Sequence, residues 1–114
     1  MSHAFNLIVF PVKDIAKGKT VFGKLLGAEP YMENPYYVGF RVGGQEIGLD
    51  PNGHKKGMTG PLGYCEVSDI RTTLQSLVDE GARVTQDVKD VGGGRLTAWL
   101  ADTDGNQIGL LQSP

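Results

Sequence analysis

The sequence predicts an α+β fold made of two copies of one βαβββ unit. Three matched landmarks predict it. V-K-D-I at 12–15 matches V-S-D-I at 67–70. L-G-A at 26–28 matches E-G-A at 80–82. E-I-G-L at 46–49 matches Q-I-G-L at 107–110. The order is kept, with a period of roughly 55–60 residues, the signature of a duplicated supersecondary unit. A unit of that size buries little by itself, so the copies must pack on each other or on a second chain. The chain of 114 residues is read as a single domain over 1–114: a first module over about 4–51, a loop over 52–61 and a second module over about 62–113.

In the first module, F-N-L-I-V-F-P-V at 5–12 reads as a strand. Ile8, Phe10 and Val12 share one face, and Phe5, Leu7 and Val9 the other. Asp14 is the N-cap of a helix whose apolar stripe is Ile15, Phe22, Leu25 and Leu26, with Gly27 as terminator. Three strand-like runs follow: E-P-Y-M-E-N, Y-Y-V-G-F-R-V and Q-E-I-G-L-D. Gly43-Gly44 joins the last two as a two-residue hairpin. That turn pairs Val42 with Gln45, Arg41 with Glu46, Phe40 with Ile47 and Gly39 with Gly48.

The pattern restarts after the loop P-N-G-H-K-K-G-M-T-G-P. L-G-Y-C-E-V reads as a strand, Asp69 as a second N-cap, and Ile70, Leu74, Leu77 and Val78 as a helical stripe ended by Gly81. The runs A-R-V-T-Q-D-V, R-L-T-A-W-L-A and Q-I-G-L-L-Q complete the module, with D-T-D-G-N as the last turn.

Period-2 alternation sorts the strand side chains into two faces. Val38, Phe40, Ile47 and Leu49, and in the second module Leu96, Leu100, Ile108 and Leu110, face the helices. The other face carries Leu7, Val9, Tyr37, Gly39, Arg41, Glu46, Gly48 and Asp50, then Leu62, Tyr64, Glu66, Arg95, Thr97, Trp99, Gln107, Gly109 and Leu111. Glycine inside a strand costs stability and marks close approach by a backbone or a ligand. An apolar, aromatic-walled surface with a few polar groups has the make-up of a small-molecule site.

Several function classes are excluded as expectations. Net charge is −2 and the basic residues are scattered, giving no footprint for nucleic acid. No apolar run reaches membrane-spanning length and no secretory pattern opens the chain. The lone Cys65 fits a reducing cytoplasm. A nucleophilic role for it would need a base nearby. His3 and His54 are the only histidines, so a metal site would have to be mostly carboxylate.

The segments F-P-V-K-D-I-A-K-G-K-T-V-F-G-K-L-L-G-A and D-T-D-G-N-Q-I-G-L-L-Q resemble the vicinal oxygen chelate superfamily of glyoxalase I, extradiol dioxygenases and bleomycin-resistance proteins. The resemblance implies that the two modules curl a mixed sheet into a cup and that the chain dimerises. It also implies four cup-facing metal-ligand positions, usually His, Glu or Gln, one on the first and one on the last strand of each module. Here they align with Leu7, Gly48, Leu62 and Gly109, none of which offers a side-chain donor. The expectation is therefore a cofactor-free, metal-free, cytoplasmic homodimer of the bleomycin-resistance type. It would bind an aromatic or apolar antibiotic or xenobiotic, with Trp99 and a tyrosine as stacking surfaces and no catalytic residue. The alternative is a lyase or oxidoreductase of glyoxalase or dioxygenase type with an unconventional metal site, for which Glu46, Asp50, Glu66 and His54 would have to cluster. A third reading is a partner-binding module whose cup is filled by its own side chains.

Overall fold

The protein is described by a computed structural model over residues 3–114. Its chain divides into two compact units, Asn6–Leu62 and Gly63–Pro114 with the segment up to Phe5. In the first unit β1 (Phe5–Pro11) leads into α1 (Ile15–Leu26), followed by β2 (Met32–Asn34), β3 (Tyr37–Val42) and β4 (Gln45–Asp50). In the second, β5 (Leu62–Glu66) leads into α2 (Ile70–Asp79), then β6 (Arg83–Asp90), β7 (Leu96–Ala101) and β8 (Gln107–Gln112). The βαβββ order is present twice.

The strands of the two units are arranged alike. β1 pairs with β4 in parallel, as β5 pairs with β8. The order within the first unit is β2-β3-β4-β1, and within the second β6-β7-β8-β5. Both helices start alike. Asp14 (φ −128°) accepts from the Lys17 N–H, and Asp69 (φ −138°) from the Thr72 N–H. Each carboxylate thereby satisfies one of the amides that a helix start leaves without an intrahelical partner.

The β3–β4 register is the one the Gly43-Gly44 turn dictates: Val42 faces Gln45, Arg41 faces Glu46 and Gly39 faces Gly48. Both turn glycines have positive φ, 55° and 80°, as a tight hairpin with the right twist requires. Between sheet and helix, Val38, Phe40, Ile47 and Leu49 form the first core, against which Ile8, Phe10, Ile15, Phe22 and Leu26 pack. The Phe10 and Phe22 rings meet at 4.8 Å. In the second unit the corresponding core is Val67, Ile70, Leu74, Ala98, Leu100 and Leu110.

Two helix assignments need correcting. Leu25 is 74 % exposed and takes no part in the core. At 3.6 residues per turn it sits roughly 80° away from the line through Ile15, Phe22 and Leu26. Val78 is off its stripe by a similar angle and lies outside the second core, whereas Leu77 packs against it.

The segment after β4 is fastened to the first unit. Asp50 accepts from the Asn52 N–H at 2.8 Å and pairs with Lys56 Nζ at 2.8 Å. A single 3-10 turn spans His54–Lys56, and Met58 beyond it is buried. These contacts hold residues 52–58 against the first unit.

Candidate functional site

The helix-free face of each sheet carries the side chains singled out by period-2 alternation, and its glycines are covered by tyrosine rings. In the first unit Gly39 and Gly48 face each other across β3 and β4. A Cβ at Gly48 would stand 2.8 Å from Tyr37 Cε1, with the Tyr37 hydroxyl nearer still. One at Gly39 would stand 3.0 Å from Tyr31 Cε1. In the second unit Gly109 faces Trp99 on one side and Tyr64 on the other. A Cβ there would lie 2.8 Å from Tyr64 Cγ. Glycine is needed at 48 and 109 because the aromatic ring occupies the space of the missing side chain.

The two coverings are not symmetry mates. Tyr37 reaches Gly48 diagonally from the antiparallel neighbour β3, whereas Tyr64 lies directly opposite Gly109 on the parallel neighbour β5. The duplicated unit fills the same hole from opposite sides.

Trp99 Nε1 donates to Tyr64 Oη at 2.7 Å, and Trp99 is 5 % exposed. Leu62, Leu111 and Thr97 are buried, as are Leu7 and Val9. Trp99 is thus a packed residue with its N–H satisfied, and the stacking surface expected of it is closed over. Tyr37 is half-buried, while Arg41 and Glu66 are exposed.

An accessible aromatic cluster on this face lies in the first unit. Tyr31 Oη donates to Glu46 Oε1 at 2.6 Å, and the Arg41 guanidinium sits 4.1 Å above the Tyr31 ring. The Arg41–Glu46 contact is 3.5 Å, long for a charge-assisted bond. Ring stacking therefore positions the guanidinium more than the ion pair does. Tyr31 is the residue that sequence reasoning missed. Its N–H bonds to the Gly39 carbonyl, extending the β2–β3 ladder by one rung. The signal was Gly39 itself, a strand glycine that needs a ring to cover it.

The carboxylates required by a metal site do not meet. Glu46 serves Tyr31 and Arg41, Asp50 serves Lys56, and Glu66 accepts from the Ser113 hydroxyl at 2.7 Å. His54 is exposed in its 3-10 turn. Among the described residues no three His, Cys, Asp or Glu side chains are placed to hold a metal ion. At the four positions that the resemblance assigns to metal ligands, two are leucines and two are glycines under tyrosine rings, so the donor set does not fit a metal. Cys65 lies on the helix side, and burial pushes its thiol up, away from the reactive thiolate. A groove of about 430 Å³ runs beside α1, lined by Lys19, Gly23, Lys24, Ala28, Pro30 and Phe40 among others, on the opposite side of the first sheet. No helix among the described residues is long and apolar enough to cross a membrane.

Comparison with known proteins agrees with the architecture. No curated protein matches the chain. A hypothetical protein from Bacillus halodurans shares the fold at TM-score 0.81 and 14 % identity, covering 100 % of this chain and 96 % of its own. A glyoxalase/bleomycin resistance protein/dioxygenase superfamily member from Vibrio splendidus matches at 0.72 and 19 % identity, covering 93 % and 95 %. Methylmalonyl-CoA epimerase from Mycobacterium tuberculosis matches at 0.74 and 17 % identity, covering 96 % and 87 %. At such identities these structures speak to the fold alone. The family model matches over residues 4–110, and with its two βαβββ units the chain belongs to the Glyoxalase/Bleomycin resistance protein/Dioxygenase superfamily.

Proposed function

We propose that the protein is a metal-independent small-molecule binder of the glyoxalase/bleomycin-resistance type. As a cytoplasmic homodimer, it sequesters a flat, largely apolar compound such as an aromatic antibiotic or xenobiotic at the subunit interface. One observation carries the reading: Tyr37 and Tyr64 occupy the space where a ligand side chain at 48 or 109 would project. A face without donors at Leu7, Gly48, Leu62 and Gly109 can hold a guest but has no Lewis acid with which to polarise it. The exposed Tyr31 and half-buried Tyr37 offer the accessible aromatic surface.

The test combines three measurements on tag-free protein. Metal analysis is expected to give far less than one transition-metal ion per chain. Sedimentation is expected to give a dimer. Thermal-shift screening with aromatic compounds is expected to find stabilising ligands that are recovered unchanged. A stoichiometric metal, or turnover of a bound compound, would replace this reading with the enzymatic one.

A further inference from the structure

The Tyr31–Arg41–Glu46 cluster bears on the polar group that the guest carries. We infer that this cluster recognises a neutral, planar donor–acceptor group, such as a carboxamide or cyclic amide on an aromatic ring, and discriminates against a carboxylate. The inference rests on the proposed binding role.

Three features support it. Tyr31 lies with one side against Gly39 and with the Arg41 guanidinium over its ring, a stack in which each layer orients the next. The guanidinium is planar, only its Nη2 reaches Glu46, by a long 3.5 Å contact, and the Arg41 side chain is 59 % exposed. Glu46 spends Oε1 on the Tyr31 hydroxyl, and its side chain is 23 % exposed. A fixed donor edge thus stands beside a fixed acceptor. A primary amide offers the matching acceptor and donor in one plane. A carboxylate would satisfy Arg41 but would place its own charge next to Glu46, an unfavourable like-charge contact. An isolated cation would meet the converse problem at Arg41.

Benzamide, benzoate and naphthalene separate the outcomes, with binding to the full-length protein read by ligand-observed NMR. Wild-type protein is expected to prefer benzamide over benzoate by about tenfold, the size of a partly screened like-charge contact. Glu46→Gln keeps an acceptor for Tyr31 and removes the charge, so the preference should shift toward benzoate. Arg41→Lys keeps the charge but loses the planar fork, and benzamide binding should weaken. Circular dichroism and thermal midpoints confirm that the variants are folded. Equal or stronger benzoate binding by the wild type, or an unchanged ratio in Glu46→Gln, would overturn the inference. Naphthalene binding without amide preference would overturn it while leaving the apolar-binder reading intact. Absence of binding by all three would count against both.

Discussion

Trp99 and Tyr64 are joined by a 2.7 Å hydrogen bond across Gly109, the residue that faces both of them in the sheet. A side chain at 109 would displace the Tyr64 ring and with it the acceptor for a buried indole N–H.

Gly109→Ala is therefore expected to destabilise the protein by about 1–3 kcal/mol through overpacking. Tyr64→Phe leaves the buried Trp99 N–H without this acceptor and should cost about 1–3 kcal/mol. In Gly109→Ala/Tyr64→Ala the clash disappears, so the double variant should be more stable than the sum of its singles. Urea unfolding of the wild type, Gly109→Ala, Tyr64→Ala and the double variant closes the cycle. Strict additivity would mean that the ring and the glycine are not coupled.

Acid stability should depend on the last turn. The Asp102 carboxyl is held below its ordinary value, first by the Asn106 side-chain amide at 2.9 Å and then by the Asn106 N–H. Asp69 is depressed by the Thr72 N–H in the same sense. A depressed carboxyl stabilises the folded state above its unfolded pKa, and that contribution is lost as pH falls through the folded value. The wild-type melting temperature should thus decline from about pH 4 downward. Asp102→Asn should start lower at neutral pH and fall less steeply across the same range. Parallel curves would show that the turn does not contribute.

Asp50 should decide whether the segment 51–61 stays closed. Asp50→Ala removes both the Lys56 pair and the bond to the Asn52 N–H, at an expected cost of about 1–3 kcal/mol. Initial tryptic cleavage after Lys55 and Lys56 should accelerate in this variant. Cleavage at the wild-type rate would mean that Met58 alone secures the segment.

Leu25 and Leu26 are adjacent in sequence but differ in burial. Leu26→Ala removes a side chain packed on the first core and should cost about 2 kcal/mol. Leu25→Ala is expected to change monomer stability by less than about 0.5 kcal/mol. Thermal unfolding at low protein concentration distinguishes them. A large effect at Leu25 would place that residue in an interface.

The sequence by itself determined the module order, the two Asp N-caps, the β3–β4 register and which side chains share a face. These follow from local rules: helical and strand periods, a carboxylate accepting an orphan amide, and a hairpin turn that admits one pairing. Tertiary structure decided what stands over the glycines. Leu25 looked equivalent to Leu26 until the sheet fixed which helical angle is inward. Trp99 looked like an open stacking surface until Tyr64, 35 residues away, took its N–H. Tyr31 had no visible role until the β2–β3 ladder brought it onto Gly39. Alternation tells which face a side chain leaves from, but its packing partner is chosen by strands that meet only after the chain has closed.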